Sequence, residues 1–453
     1  MPVDDSRAGG AEAGQADEGF RPEIIEVLLP DINGVLRGKW LPASGAGKLD
    51  SDGVPMPLSL FGLDLWGREV METELHVETG DVDGVCLPVA GTLAPVPWIR
   101  DQPTGQVLVS MHEPSGKPWY LDPRHRLQAV VDRFAELGLT PVVAFELEFY
   151  LVTDRTDAAG APIPFGHRPA GPSRQNMYDM SDLETVAPLM REIRAAATAQ
   201  GILADAVISE AAPGQFEVNL LHRADPMRAA DDAVLFRRLV KGIARRHGWR
   251  ATFMPKPYYE FAGSGTHVHV SLIDADGRNA FGEVAGGDAL LASAAAGLLA
   301  SARETALVHV HSHNGFRRLA PGAYAPTTLS WGYDNRSVAV RVPNGGPKAR
   351  RLEHRIAGAD ANPYLVLAAI LAGMHAGIVS ELVPPPPLTG DAYVQEGDRL
   401  PTSLREAAEV FAASDFVRVY FGAEFQRIFA LMKLSEAGEF ERIISEIEYD
   451  AYL

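Results

Sequence analysis

Acidic and imidazole side chains occupy alternate positions in segments that otherwise have the composition of buried β-strands. In VVAFELEFYLV, Glu146 and Glu148 are two residues apart, and in THVHVSL, His267 and His269 have the same spacing. Side chains two apart on a strand point to the same face of the sheet. Two buried carboxylates on one face repel each other strongly unless a cation lies between them. The pattern therefore predicts strands that converge on bound positive charge.

Further carboxylates follow in strand-like segments. Glu210 and Glu217 flank the Pro-Gly turn of ISEAAPGQFEVNLL, so a hairpin brings both near one place, and Glu353 lies in RLEHRI. Oxygen-rich ligands suit Mg²⁺ or Mn²⁺, and a single cysteine, Cys86, excludes a disulfide within the chain and a multi-thiolate zinc site. A solvated strand face is the alternative for any one pair. Three such pairs in apolar strands favour a hard-cation site.

The stretch from His313 to Arg355 is rich in basic residues. They are Arg317, Arg318, Arg336, Arg341, Lys348, Arg350, Arg351 and Arg355. Guanidinium groups match phosphate and carboxylate oxygens in pairs, so arginines beside a cation site indicate a bound polyanion and phosphoryl transfer. The sequence contains neither a P-loop nor a protein kinase signature. A solvated basic patch explains Arg317 and Arg350, which we leave out of the predicted site.

Length and composition limit the architecture and the partners. A chain of 453 residues needs at least two domains. We predict a disordered acidic tail over residues 1–20, a small β-rich domain over 21–120 and a larger α+β domain over 121–453. The net charge of −18 argues against nucleic acid as a partner. No apolar run reaches the roughly 20 residues of a membrane span, and the basic-then-apolar start of a secretory signal is missing. We therefore expect a cytoplasmic protein without a membrane partner.

Local patterns place several elements. Asn33-Gly34 separates two apolar runs and predicts a hairpin. Asp122 and Pro123 can cap and open a helix with a core face at Leu127, Val130 and Phe134. Other predicted elements are helices near 182–200 and 226–247, a strand pair around AVISEAAPGQFEVNLL, strands in ATFMPKP, THVHVSL, VAVRVP and RLEHRIAG, and helices after Pro363.

Six segments, in order between about residues 141 and 365, resemble the glutamine synthetase family. They are FELEFYLV, SEAAPGQFEVNL, FMPKPYYEFAGSGTHVHVSL, NGFRRLAPGAYAP, NRSVAVRVP and PKARRLEHRIAGADANPY. The resemblance implies an α+β fold: a small N-terminal β-grasp-like domain, then a large catalytic domain with a curved antiparallel sheet flanked by helices. It also implies a homo-oligomer, a dodecamer of two stacked hexameric rings with active sites between neighbouring subunits.

The motif match implies roles for individual residues. The resemblance implies that one Mg²⁺ or Mn²⁺ ion is held by Glu148, Glu210 and Glu217, and a second by Glu146, His267 and Glu353. The positions that match contacts to ATP and its phosphates are His269, Ser271, Arg336, Arg341, Lys348 and Arg351. Those that match contacts to glutamate and its acyl phosphate are Gly263, Arg318 and Arg355. The implied catalytic residues are Arg318, Arg336 and, in the flap that selects the amine, Tyr324.

Two departures from the family pattern concern the nitrogen nucleophile. Ammonia-using members carry P-G-x-E-A-P in the flap, whereas PGAYAP places Tyr324 at the glutamate position. A tyrosine offers an aromatic face, suited to an alkylammonium group, but no carboxylate. The family motifs F-D-G-S-S and S-D-M are replaced by LFGLDLWG and ETGDVDG, where Asp64, Asp81 and Asp83 are candidate substitutes. We group Asp64 with Tyr324 as a candidate amine site.

These observations favour an ATP-dependent ligase that joins the γ-carboxylate of glutamate to a primary amine, such as a polyamine or ethanolamine, through γ-glutamyl phosphate. In this respect the chain is similar to the γ-glutamyl-polyamine and γ-glutamyl-monoamine synthetases of the family. One alternative is an ordinary glutamine synthetase that uses ammonium. A second is a ring-forming protein without catalysis, which loss of metal ligands would mark. The choice of amine, and of Mg²⁺ or Mn²⁺, is left open.

Overall fold

The computed structural model describes residues 20–157, 160–166 and 177–453, so residues 1–19 of the predicted tail lie outside it. The strands are β1 (Ile24–Pro30), β2 (Leu36–Pro42), β3 (Val54–Pro57), β4 (Asp83–Pro88), β5 (Ala94–Pro95), β6 (Thr104–His112), β7 (Thr140–Thr156), β8 (Pro162–Pro164), β9 (Ala204–Ser209), β10 (Gln215–Leu220), β11 (Arg250–Thr252), β12 (Thr266–Ile273), β13 (Trp331–Tyr333), β14 (Val340–Val342) and β15 (Leu352–His354). The α-helices are α1 (Gly47–Ser51), α2 (Pro123–Glu136), α3 (Met180–Ala199), α4 (Pro226–Arg246), α5 (Gly287–Ala302), α6 (Ala306–His309), α7 (Pro363–Val379), α8 (Leu404–Ala413), α9 (Asp415–Phe421), α10 (Ala423–Glu441) and α11 (Glu446–Tyr452).

The first sheet contains β1 to β6. Its strand order is β2-β1-β6-β4-β3, and β5 also pairs with β6. β1 and β2 form the predicted antiparallel hairpin, and β1 pairs in parallel with β6. Gly34 has a φ of +74°, a conformation that glycine adopts without strain, and Asp31 Oδ1 accepts from the backbone N–H of Val35 (2.8 Å). The Asn-Gly turn signal is therefore confirmed.

The second sheet has the order β13-β14-β15-β12-β7-β10-β9, with β8 and β11 also paired to β7. β7 is 17 residues long and lies between β10 and β12, both antiparallel to it. In the described part of this second sheet, β13 pairs in parallel with β14, and the other strand pairs are antiparallel. The α+β fold with a β-rich N-terminal region is confirmed, whereas the boundaries at residues 21 and 121 remain predictions.

Helices α2 and α4 pack against β7 of the second sheet. The predicted cap of α2 is present: Asp122 accepts from the backbone N–H of Arg124 (2.8 Å), and α2 begins at Pro123. α5 and α7 can approach closely because Gly297 has no side chain. A Cβ at this position would lie only 2.0 Å from the carbonyl oxygen of Gly373. None of the described helices is both long enough and apolar enough to cross a bilayer.

Buried polar contacts fix the first sheet against the helices. The Lys433 ammonium, fully buried on α10, lies 2.9 Å from Glu436 Oε2 and also donates to Asn33 Oδ1 in the β1–β2 turn. Asn362, the residue before α7, donates to the carbonyl of Asp31 (2.9 Å). The Lys433–Glu436 pair lies within α10, so the contacts with Asn33 and Asp31 are the ones that join the β1–β2 turn to α10 and α7.

The strand predicted in VAVRVP is shorter than expected. β14 begins only at Val340, and Arg336 lies in the turn before it. The physical reason is the side chain of Asn335. It accepts from the backbone N–H of Ser337 (2.9 Å) and donates to the carbonyl of Gly390 (2.8 Å), which stabilises a turn in place of strand pairing.

Candidate active site

Strand register brings the acidic and imidazole residues together at the centre of the second sheet. Glu146 on β7 lies opposite His267 on β12, and Glu148 lies opposite Glu217 on β10. On the other side of β12, His269 lies opposite Glu353 of β15. Directly opposed side chains on one face of an antiparallel pair are neighbours. The register alone therefore assembles five of the six predicted metal ligands.

Distances show how tightly Glu146 is surrounded. His269 Nε2 lies 2.7 Å from Glu146 Oε1, and His267 Nδ1 lies 3.3 Å from Glu146 Oε2. Asn219 Nδ2 donates to Glu146 Oε1 (3.2 Å). Burial raises the pKa of Glu146, but the contacts with His267 and His269 outweigh it and hold this pKa well below its usual value. Glu146 is therefore the charged centre of the cluster.

Within the described part of the chain, two groups of His, Asp or Glu side chains have ligand atoms within 4.8 Å of one another. One comprises Glu146, Glu217 and His267, and the other comprises Glu146, His269 and Glu353. The resemblance implied a different division, with Glu217 beside Glu148 and Glu210, and with His269 at the nucleotide. Both groups share Glu146, so the two groups are adjacent, and the predicted division of ligands between two ions stays a prediction.

Glu148 and Glu210 complete the acidic face. Glu148 Oε1 lies 4.0 Å from His267 Nε2, and Glu148 Oε2 accepts from the backbone N–H of Gly265 (2.8 Å). Glu210 follows β9, where its backbone N–H donates to the carbonyl of Gln215 (2.9 Å). The Glu210 carboxylate is close enough to raise the pKa of Glu148 and of Glu217. The hairpin thus brings Glu210 into the cluster, as its position beside the Pro-Gly turn predicted.

The cluster has the chemistry of a divalent cation site. Burial, with the neighbouring Glu148, raises the pKa of Glu217 to about 9, and burial, with Glu210, raises that of Glu148 to about 7. Burial and Arg355 lower the pKa of His267 to about 4, so its imidazole is neutral near pH 7. Among the residues that the structure describes, His267 Nε2 is buried without a hydrogen-bond partner. Mutually repelling carboxylates and an unpaired imidazole nitrogen fit a bound Mg²⁺ or Mn²⁺.

Arginines contact the cluster from the β14–β15 side. Glu353 Oε2 accepts from Arg341 Nη1 (2.7 Å), and Glu353 Oε1 accepts from Arg355. Burial raises the pKa of Glu353, but Arg355 and the two histidines outweigh burial and lower it to about 2. Arg351 Nε lies 3.1 Å from His269 Nδ1. Two of the predicted anion-binding arginines therefore contact the predicted metal ligand Glu353, and a third, Arg351, contacts His269 next to the cluster.

The glycine-rich turn before β12 makes room for Arg318. A Cβ on Gly265 would lie 2.4 Å from Arg318 Nη2, and a Cβ on Gly263 would lie 2.8 Å from Arg318 Cγ. Arg318 is buried, and its Nη1 donates to the carbonyl of Ile356 (2.9 Å). The guanidinium can therefore lie against this turn, beside His267, only because the two positions lack side chains.

Other predicted residues surround this centre or lie away from it. Ser271 shares a face of β12 with His267 and His269, since the three alternate along the strand. Arg336 and Lys348 are exposed, in the turn before β14 and the segment before β15. The structure thus leaves their predicted phosphate contacts as predictions.

The two candidate amine-site residues, Asp64 and Tyr324, have different surroundings. Asp64 is 3% exposed, and both of its oxygens serve its own turn: Oδ1 accepts from the backbone N–H of Arg68 (2.8 Å), and Oδ2 accepts from Arg68 Nε (2.8 Å). That turn packs on α10, where Glu436 Oε1 accepts from the backbone N–H of Leu65 (3.0 Å). Tyr324 is 67% exposed, and its carbonyl accepts from Arg355 Nη2 (3.3 Å). Both Asp64 oxygens are thus engaged within the same turn, and the role of Asp64 in the amine site stays a prediction.

Two polar residues of β10 support the site and were not among the predicted site residues. Asn219 contacts Glu146, and Gln215 Nε2 donates to the carbonyl of Gly263 (2.9 Å), which holds the glycine-rich turn. Both lie on β10 at alternate positions with Glu217. That spacing was the available signal, because residues two apart on a strand share a face.

Comparison with known proteins identifies the family. A family model described as the glutamine synthetase catalytic domain matches residues 120–452. The chain belongs to the glutamine synthetase family. Members of this family use ATP, divalent metal ions and small-molecule substrates. The resemblance drawn from the six motifs is thereby confirmed.

Similar members of the glutamine synthetase family carry names of glutamate–amine ligases. The chain is 39% identical to the gamma-glutamylputrescine synthetase PuuA of Escherichia coli (strain K12), over 94% of this chain and 91% of the relative. It is 36% identical to a glutamate–isopropylamine ligase of Pseudomonas sp, over 95% of each chain. A solved GmaS/ADP complex (conformation 1) superposes with a TM-score of 0.83 at 30% identity, covering 95% of this chain and 96% of that chain.

The raised pKa values of Glu217 and Glu148 predict that metal binding releases protons. Near pH 7 Glu217 is protonated in the metal-free protein, and a carboxylate must lose its proton to bind a cation. Binding of Mn²⁺ at pH 7 should therefore release about one proton, and the affinity should rise with pH. Calorimetric titration in two buffers that differ in ionisation enthalpy measures the release. The variant Glu217→Gln should release fewer protons, and equal heats in both buffers for the unmodified protein would contradict the prediction.

Proposed function

We propose that the protein joins the γ-carboxylate of glutamate to a primary amine at the expense of ATP, through γ-glutamyl phosphate, and releases ADP and phosphate. The observation that carries the proposal is the acid–imidazole cluster bordered by Arg341, Arg351 and Arg355, next to a flap that presents Tyr324. Membership of the glutamine synthetase family supports the ligase chemistry. The names of two similar relatives, for putrescine and isopropylamine, support an organic amine.

Two divalent cations, Mg²⁺ or Mn²⁺, would be held by the acidic and imidazole residues of the cluster. These residues are Glu146, Glu148, Glu210, Glu217, His267 and Glu353, with His269 close enough to join them. When bound, such ions neutralise phosphate oxygens and make the γ-phosphorus more electrophilic. The donor set of carboxylates and a neutral imidazole supports this assignment.

The chain's own residues would orient the substrates. Arg318 and Arg355, with Gly263 opposite, suit the carboxylates of glutamate, because their guanidinium groups are buried next to the cluster. The phosphates of ATP suit Arg336, Arg341, Lys348 and Arg351, with Ser271 on the adjacent strand face. Holding both anions in one orientation converts a bimolecular phosphoryl transfer into an effectively unimolecular one.

The bonds exchanged follow from this arrangement. A γ-carboxylate oxygen of glutamate attacks the γ-phosphorus of ATP, and the bond to the ADP oxygen breaks. The amine nitrogen then attacks the acyl carbon, phosphate leaves with the electron pair of the C–O bond, and the nitrogen loses a proton. Arginine guanidiniums stabilise the negative charge that collects on the transferred oxygens in both steps.

Tyr324 would select the nucleophile. Its side chain is exposed at the edge of the site, and its backbone is anchored by Arg355. The aromatic face of a tyrosine attracts an alkylammonium group. It does not provide the carboxylate that ammonia-using members offer to ammonium. This arrangement favours a carbon-bearing amine over ammonium.

We further propose a cytoplasmic dodecamer of two hexameric rings, with Asp64 contributing to the amine site of a neighbouring subunit. The C-terminal helix α11 supports assembly, because Ile444, Ile447 and Tyr452 are exposed on or next to it in the single chain. Apolar surface of this kind is typically covered by another subunit. Cys86 is buried and unpaired, which agrees with a reducing compartment.

A substrate panel tests the proposed reaction. The full chain is incubated with glutamate, ATP and Mg²⁺ or Mn²⁺, together with ammonium, isopropylamine, ethanolamine, putrescine or spermidine. We expect ADP release with a γ-glutamyl amide detectable by mass spectrometry, at lower concentrations of at least one organic amine than of ammonium. Glutamine as the only product would assign the ordinary glutamine synthetase reaction instead. Failure to bind ATP in the presence of Mg²⁺ would indicate a protein without catalysis.

Replacing Tyr324 tests the selection of the amine. Tyr324→Glu should lower kcat/KM for the preferred organic amine by about tenfold, since an aromatic contact to a cation contributes on the order of 1–2 kcal/mol. It should also raise activity with ammonium. Tyr324→Phe, the matched control, keeps the aromatic face and should keep the preference. An unchanged ratio of the two activities in Tyr324→Glu would show that this side chain does not select the nucleophile.

A further inference from the structure

The proline-rich loop, residues 384–400, runs alongside the flap. Its backbone is bonded to the chain that follows the flap: the Leu388 N–H donates to the carbonyl of Trp331 (2.7 Å), and the Leu329 N–H donates to the carbonyl of Asp398 (2.8 Å). Asn335, in the turn that carries Arg336, donates to the carbonyl of Gly390 (2.8 Å). The loop is therefore bonded at several points to the chain that follows the flap.

Tyr393 projects from this loop toward the flap. Its hydroxyl donates to the carbonyl of Ala325 (3.2 Å), the residue after Tyr324. Its own backbone N–H donates to Asp391 Oδ1 (2.8 Å), which begins a short helical turn over Ala392–Val394. The ring is half-buried. No sequence motif pointed to Tyr393, since its position relative to the flap depends on the fold.

Two arginines of the predicted glutamate site lie near the Tyr393 phenol. Burial raises the pKa of Tyr393, while the charges of Arg355 and Arg318 lower it in part. The hydroxyl therefore keeps its proton near pH 7 and acts as a donor. It lies at the junction between the flap and the residues predicted to hold glutamate.

The flap is held by hydrogen bonds to two consecutive carbonyls. Arg355 Nη2 donates to the carbonyl of Tyr324 (3.3 Å), and Tyr393 donates to the next one, that of Ala325. The backbone of Tyr324 has a φ of +51°, which is uncommon for a residue with a bulky side chain. Ala325 is buried, whereas the Tyr324 side chain is exposed. The two bonds thus maintain a backbone conformation that tyrosine does not favour by itself.

We propose that Tyr393 is a positioning residue of the nucleophile site, which holds the flap so that Tyr324 covers the acyl phosphate and excludes water. The inference rests on the proposed function. If water reaches γ-glutamyl phosphate, its oxygen bonds to the acyl carbon, the C–O bond to phosphate breaks, and glutamate and phosphate are formed. Each such event consumes one ATP without forming an amide. The role of Tyr393 is therefore visible in the coupling between ADP release and amide formation.

The test compares ADP released with γ-glutamyl amide formed, using the full chain and its preferred amine from the panel. Tyr393→Phe removes only the hydroxyl, and we expect the ratio of ADP to amide to rise severalfold. The KM for the amine should rise about fivefold, the size of effect that loss of one neutral hydrogen bond produces. The KM for ATP should stay unchanged. Tyr420→Phe is the matched control, because that hydroxyl bonds to His375 on the far helices, 2.8 Å away, and the ratio should not change.

A second variant separates positioning from folding defects. Asp391→Ala removes the acceptor for the Tyr393 backbone N–H and leaves the phenol in place, so it should shift the ratio in the same direction by a smaller factor. An unchanged ratio in Tyr393→Phe would overturn the proposal. Failure of the proposed function is recognised separately: if the unmodified protein makes only glutamine, the same ratio is measured with ammonium, and the expectation for Tyr393→Phe still applies.

Discussion

Buried carboxylates on one face of a central strand are the constraint on which the rest of the structure depends. Glu146 and Glu148 point the same way from β7, and the antiparallel register sets Glu217 and His267 beside them. In the absence of positive charge this arrangement is strongly unfavourable, because desolvation and mutual repulsion add. The sheet tolerates it because arginines lie behind Glu353 and because the donor set suits divalent cations. The site is thus a consequence of where acids were placed on strands.

The chemistry is divided between rigid strands and adjustable loops. Residues predicted to hold metal ions lie mainly on strands paired on both sides, which fixes their positions to within the tolerance that catalysis needs. The residues that would select and shield the nucleophile, Tyr324 and Tyr393, lie on loops, and the Tyr393 hydroxyl donates to the flap at the carbonyl of Ala325. Loops vary more readily than strands, so a change of nucleophile needs no change in the metal cluster.

Much of the site followed from local pattern, whereas the pairings did not. Alternation identified the shared face of Glu146 and Glu148. The cap signal at Asp122 predicted a helix, and the turn signal at Asn33-Gly34 predicted a hairpin. The grouping of His269 with Glu353 depends on register between strands far apart in sequence, which no local pattern encodes. α5 went unpredicted because it is apolar on nearly every face and has no helical periodicity of polar residues. Tyr393 was missed because only tertiary structure brings it to the flap.

The cluster around Glu146 is expected to bind two adjacent divalent ions. Anomalous X-ray diffraction from crystals grown with Mn²⁺ and a non-hydrolysable ATP analogue tests it most directly, because the signal locates manganese independently of the protein density. We predict two manganese peaks per chain, both in contact with carboxylates of the cluster and sharing Glu146 as a neighbour. A single peak elsewhere, or none within reach of Glu146, Glu217 and Glu353, would show that the cluster does not hold two metal ions.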